Sequence, residues 1–138
     1  MKKLICYTIM LAFIMLTPSC DYYDTRLVLR NSTNRTLAVE MYEDTIPDFP
    51  SINLTEFYLT HTIIARATYN PLMPDKNGWE KMICRSKNKK LNVFIYELDS
   101  LQKYNSIDTL IRRKIYRHYT YSKDYLIKEN WAIEVDFK

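Results

Sequence analysis

The sequence predicts a mainly β fold, a small antiparallel β-sandwich of about seven strands with two short helices. Three observations point there. Aromatic and β-branched residues are frequent, with twelve Tyr among 138 residues, and such side chains suit a pleated, half-buried surface. Short apolar runs are separated by polar, Pro-bearing segments. The region also opens on a strand-like run and closes on another, a pattern that favours sheet packed on sheet. A layered α+β sheet is the alternative arrangement of the same elements.

The elements follow in order. Arg26-Leu27-Val28-Leu29-Arg30 reads as a first strand and Asn31 to Arg35 as a polar turn. Thr36 to Tyr42 reads as a second strand with Leu37, Val39 and Met41 on one face, so the two are expected to form a hairpin. Glu43 to Asn53 is an acidic loop holding Pro47 and Pro50, and Glu56 to Tyr69 a third strand region. Asn70 to Gly78 is a loop broken by Pro71 and Pro74. Trp79 to Arg85 is expected as a strand and Ser86 to Lys90 as a turn, before a strong strand from Leu91 to Glu97. Ser106 is a good N-cap for a helix whose Ile107, Leu110, Ile111 and Ile115 share one face. Arg112, Arg113 and Lys114 then complement the negative end of that helix. Tyr116 to Tyr121 extends again, Ser122 caps a short helix running to Glu129, and Asn130 is a suitable C′ residue. From Trp131 to Phe137 the odd positions are apolar and the even ones small or acidic, the alternation of a strand with one wet face.

The N-terminus reads as a targeting segment. Lys2 and Lys3 precede an uncharged run from Leu4 to Leu16. At about 1.5 Å per residue such a helix falls well short of the ~30 Å hydrocarbon core, so it fits a signal-peptide apolar region. Thr17-Pro18-Ser19-Cys20 follows. This stretch resembles the lipobox of bacterial lipoproteins, in which a small residue precedes a Cys that becomes the first residue of the mature chain. Thr17 stands where that motif usually has Leu, a departure common in Bacteroidetes. The resemblance implies that the Cys20 thiol takes a diacylglycerol and that its freed amine can take a further chain. Two or more acyl chains anchor stably where one does so marginally. The expected organisation is a signal peptide at 1–19, a lipidated tether at 20–25, and one domain at 26–138.

Removing the signal changes the composition. Without Lys2 and Lys3, 18 basic and 16 acidic residues remain, a net charge of +2, and no nucleic-acid partner is called for. Of three Cys, only Cys84 is left unmodified in the domain, so no internal disulfide is available, and it reads as a small apolar residue on a partly buried strand. The single Gly rules out phosphate-cradling loops. His61 and His118 lack partners at metal-ligand spacing, and no G-x-S-x-G elbow accompanies them, so neither a metal site, a cofactor nor a catalytic set is expected. Asp44-Thr45-Ile46, Asp99-Ser100-Leu101 and Asp108-Thr109-Leu110 resemble the Asp-Ser/Thr-aliphatic sequon for O-glycosylation of exported Bacteroidetes proteins. That resemblance marks Thr45, Ser100 and Thr109 as candidate acceptors, with Thr45 the most accessible. Turn and cap chemistry explains the same triplets equally well.

The C-terminal third carries a second resemblance. Val93-Phe94-Ile95-Tyr96, Ile107-Asp108-Thr109-Leu110-Ile111, Tyr119-Thr120-Tyr121-Ser122 and Asn130-Trp131-Ala132-Ile133 resemble a group of small uncharacterised lipoproteins of Bacteroidetes. That group implies location and no activity. The expectation is a cell-envelope lipoprotein, held at the outer membrane by its lipid with either face open, acting as a structural or interaction module and not as an enzyme. Its expected partners are the membrane and an envelope protein or glycan. The alternative is a carbohydrate-binding accessory lipoprotein, for which Tyr or Trp side chains should group on one exposed face.

Overall fold

A computed structural model describes residues 22–137; Cys20 and the signal segment lie outside the described residues. Nine strands are present: β1 (Tyr23–Asp24), β2 (Val28–Asn31), β3 (Leu37–Tyr42), β4 (Thr62–Ile63), β5 (Thr68–Tyr69), β6 (Met73–Pro74), β7 (Lys90–Glu97), β8 (Arg117–Ser122) and β9 (Ala132–Val135). Five short helices join them: α1 (Thr55–Thr60), α2 (Gly78–Arg85), α3 (Leu98–Tyr104), α4 (Ile107–Arg112) and α5 (Lys123–Lys128). Among the described residues strand and helix are near balance, 31% against 28%, so the fold stands between mainly β and α+β, with no barrel.

The strands form a four-stranded sheet in the order β4-β3-β7-β8, a three-stranded sheet β5-β2-β9, and a two-stranded β1-β6 ribbon. β7 explains the layering. Its residues from Leu91 to Tyr96 are all buried, because both faces of the larger sheet are covered. Leu91, Val93 and Ile95 point into a core shared with Leu27 and Leu29 around β2, Ile133 and Val135 of β9, and Trp79, Met82 and Ile83 of α2. Phe94 and Tyr96 point the opposite way, against Tyr58 of α1, Leu101 of α3 and Ile107, Leu110 and Ile111 of α4. The result is small sheet, large sheet, helices. Each such side chain contributes about 1.5–3 kcal/mol when fully buried.

Several expectations need correction. The first two strands make no hairpin: β2 pairs with β5 and β9, while β3 pairs with β4 and β7. Buried Asn31 redirects the chain. Its side-chain amide donates to the carbonyls of Arg35, Ile63 and Ile64, and its oxygen accepts from Thr33. The sheet pairing is also not wholly antiparallel, since β2 and β9 run parallel. The third strand region begins as helix α1, where burial of Tyr58 overrides β propensity. Trp79 to Arg85 is helical, not extended. Trp79, Met82 and Ile83 fall at i, i+3 and i+4 on one buried stripe, and Glu80 and Arg85 suit the two ends of the dipole. Cys84 is therefore exposed near the end of a helix and not on a partly buried strand. α3 was not anticipated.

Other readings hold. Ser106 and Ser122 each accept a backbone N–H, from Thr109 and Tyr125, as N-caps. Asn130 is left-handed at φ 51°. Along β9, Ile133 and Val135 are buried and Glu134 is exposed.

One corner pins the start of the described chain. The Arg26 guanidinium donates through Nε and Nη2 to both carboxylate oxygens of Asp24, at 2.9 and 2.7 Å, and reaches Glu80 at 3.2 Å. It also lies 4.4 Å over the Trp131 ring. The Trp79 indole N–H donates to the Asp24 carbonyl at 3.1 Å. Burial by itself would raise the Asp24 carboxyl, but the bonds from Arg26 and from the Trp79 backbone outweigh it and hold that group below the usual carboxylate range. Gly78 sits where β6 crosses α2; a Cβ there would lie 2.3 Å from Met73 Cγ.

Candidate functional site

The register of β3 leaves part of a sheet edge open. Residues along an antiparallel strand alternately direct their backbone groups toward and away from a given neighbour. Leu98 N–H donates to Thr36 O at 3.1 Å, and Leu37 to Tyr42 run opposite Glu97 to Asn92. Thr36, Ala38, Glu40 and Tyr42 therefore bond toward β7, while Leu37, Val39 and Met41 direct their groups to the other side. On that side β4 pairs with Leu37 and Ala38 only. The chain just before β4 is α1, capped by His61 N–H donating to Phe57 O at 2.9 Å, so no strand continues past Ala38. Among the described residues, no strand occupies the position that the Met41 N–H and C=O and the Val39 C=O face.

Beside this edge is a cleft of about 220 Å³ walled by Val39, Met41, Phe57, His61, Ile63, Tyr69, Pro71 and Leu72, with Glu40 and Asn53 also lining it. A water occupies roughly 30 Å³ of liquid, so the space suits one or two side chains. Phe57, Tyr69 and Leu72 are 39%, 41% and 59% exposed. The surroundings extend the apolar character. Of twelve exposed large hydrophobics among the described residues, eight fall between Ile46 and Leu72. Phe57, Tyr69 and Leu72 meet at the cleft, and exposed apolar side chains that gather on one surface mark interaction sites.

Glu40 is buried although it is acidic. Asn53 Nδ2 donates to one carboxylate oxygen at 2.9 Å and the Tyr58 hydroxyl to the other at 2.5 Å. Ser51 Oγ lies 3.1 Å from the same hydroxyl, and Tyr42 OH 3.5 Å. Burial first, then the bond to Glu40, pushes the Tyr58 phenol up to about 12. Tyr42 is raised by burial and then by Glu40 and Tyr58. Both phenols stay protonated near neutrality and serve as donors. On the same side of the sheet the Tyr96 hydroxyl is buried with no hydrogen-bond partner among the described residues. The network holds a carboxylate with neutral donors and no cation among the described residues.

Both histidines have local partners. His61 Nδ1 lies 2.9 Å from Phe57 O and 3.0 Å from Thr60 Oγ1, with its ring stacked on Phe57. Thr60 Oγ1 itself reaches the carbonyls of Glu56 and Phe57, so these atoms finish a helix end. His118 stacks on Phe94, and its Nε2 is 3.1 Å from Asn92 Oδ1; burial lowers its pKa. Among the described residues no three His, Cys, Asp or Glu side chains gather as a metal site.

A second groove, of about 460 Å³, lies between β2, β9 and the β8–α5 corner. Tyr121 and Tyr125 stack there with centroids 5.6 Å apart, and Arg30, Glu129, Asn130 and Glu134 line the rest. Asn130 and Trp131 are successive left-handed residues, φ 51° and 61°, a strained backbone for a bulky side chain.

The candidate acceptors are scattered. Thr45 is exposed in the loop after β3, its N–H bonded to Asp44, which pairs with Lys87 at 2.5 Å. Ser100 is half-buried on α3, and Thr109 is half-buried on α4. Cys20 lies outside the described residues. The open edge was not foreseen, because it depends on where β4 stops. One signal was available: no Lys or Arg occurs from residue 36 to 65, whereas Glu40, Glu43, Asp44, Asp48 and Glu56 do. The chain matches no family model, no curated protein and no solved structure.

Proposed function

We propose that this chain is a lipid-anchored interaction module of the bacterial cell envelope, tethered through Cys20 and working through contact, not catalysis. The observation that carries the contact role is the cleft beside β3 within a segment holding eight of the twelve exposed large hydrophobics. The anchor reading rests on the N-terminal residues, and β1, only a few residues past Cys20, pairs with β6 next to Leu72. The outer membrane is the proposed location, and Thr45, being exposed, is the strongest of the three candidate glycan acceptors.

Metabolic labelling with a palmitate analogue should mark the wild-type chain and not Cys20→Ala; equal labelling of both would end the anchor reading. A photo-cross-linking residue at Leu72 should give one defined adduct in the native envelope, and the same residue at exposed Gln102 on α3 should not.

A second reading, a carbohydrate-binding accessory role, is favoured by the stacked Tyr121–Tyr125 pair beside Arg30, Glu129 and Glu134. Flat aromatic faces with hydrogen-bonding groups around them suit a sugar ring. A glycan array should then show binding that is lost in Tyr125→Ala; a blank array for the wild type removes this role.

A further inference from the structure

We propose that the β3 edge captures an extended peptide segment of another protein by strand addition, and that this segment alternates apolar residues with Lys or Arg. The inference deepens the interaction-module reading and rests on it. Three independent observations converge on that occupant.

The first is backbone chemistry. The Met41 N–H and C=O and the Val39 C=O face the side on which β4 has already ended. Peptide groups in this spacing match the main chain of an extended strand. Exposed edges are usually blunted by Lys, Pro or a bulge, and Leu37 to Tyr42 contains neither Lys nor Pro.

The second is the cleft. It lies along the same edge, and Phe57, Ile63, Tyr69 and Leu72 wall it. A strand added beside β3 would send every second side chain toward one face of the sheet, so one or two apolar side chains per segment would enter the space. The third is charge. The stretch from 36 to 65 carries five acidic residues and no Lys or Arg. Glu43 and Asp44 are paired with Arg85 and Lys87, but Glu40, Asp48 and Glu56 form no ion pair among the described residues. Glu40 sits at the cleft, held only by neutral donors. A segment bearing Lys or Arg complements this surface, and an acidic one is repelled.

The test uses the full mature chain in detergent and a displayed library of random nonapeptides. Selection should enrich peptides with aliphatic residues at alternate positions and Lys or Arg between them. Binding should slow hydrogen exchange of the Met41 amide at least tenfold. N-methylating the alternate amides that face β3 should weaken binding at least tenfold, while methylating the other register should leave it unchanged. Met41→Pro should weaken it similarly, since that N–H serves no bond within the sheet; the N-methylated peptides give the same readout if this variant folds poorly. Absence of enrichment, unchanged Met41 exchange, or indifference to N-methylation in both registers overturns the proposal. So does concentration-dependent dimerisation that protects the same amide, which would make a second copy the occupant. Because the readout is at Met41, it is independent of acylation at Cys20: labelling that persists in Cys20→Ala would sink the anchor alone.

Discussion

The corner around Arg26 and the face from Ile46 to Leu72 are built on opposite logics. At the corner, Asp24, Arg26, Glu80 and Lys123 are linked by ion pairs, and Trp79 and Trp131 seal them from one side. Polar groups there are matched inside the molecule. Between Ile46 and Leu72 no ion pair is present among the described residues, large apolar side chains stand in water, and the adjoining β3 edge keeps peptide groups unmatched. The first region spends its chemistry on holding the fold, and the second leaves it outward. A domain can leave one surface unsatisfied only if another part supplies the cohesion, which here comes from β7 and the corner.

Three substitutions probe that contrast, in falling order of effect. Trp79→Ala should cost about 3–5 kcal/mol in chemical denaturation, because it opens a cavity in the core and removes the donor to the Asp24 carbonyl. A loss under about 1 kcal/mol would mean the corner is not the anchor of the fold.

Asp24→Asn should cost about 1.5–3 kcal/mol at neutral pH, since a nearly buried carboxylate loses its charge-assisted bonds to Arg26. The pH dependence has a definite sign. Asp24 titrates lower in the folded chain than in the unfolded one, so its contribution is fully present above about pH 4 and is lost as pH falls through the lower folded value. The variant should accordingly show a shallower acid limb in thermal melts, and an unchanged limb would remove Asp24 from the account.

Leu72→Ser should shift stability by no more than about 0.5 kcal/mol, the usual range for exposed positions, while weakening the binding of the selected peptides. If it destabilised the domain as much as the corner variants, the face would be a misjudged piece of core.

Legibility followed the range of the forces involved. Ser106, Ser122 and Asn130 act through bonds a few residues away, so capping chemistry revealed them. The alternation from Trp131 to Phe137 was legible because one face of β9 is wet. β7 was recognisable as a strand, but its burial on both sides says nothing of what covers it. Gly78 to Arg85 misled because Trp79, Met82 and Ile83 satisfy a helical stripe and a short apolar run alike, and packing against the sheets decides between them. The hairpin failed on Asn31, whose side chain bonds carbonyls near residue 64 that no local pattern announces. The cleft was invisible for a related reason: it exists where β4 ends, and that ending is set by helix α1 and not by any property of β3. The cluster of acidic residues without Lys or Arg was its only trace in the sequence. Cys20 is the residue whose role the sequence argues most directly, through the uncharged run and the small residue that precede it.

The parallel pairing of β2 with β9 bears on how the protein is made. Val28 lies beside Ala132 and Asn31 beside Val135, so the small sheet joins an early part of the chain to a late one. In a polypeptide made from its N-terminus, β2 can meet β5 early, but its parallel partner arrives only with β9. Closing so long a loop is entropically slow. The interval delays completion of the small sheet, and of the core it shares with β7, until nearly the whole domain has been made. The same wait leaves Leu27 and Leu29, buried once the sheets come together, open to whatever holds unfolded chains.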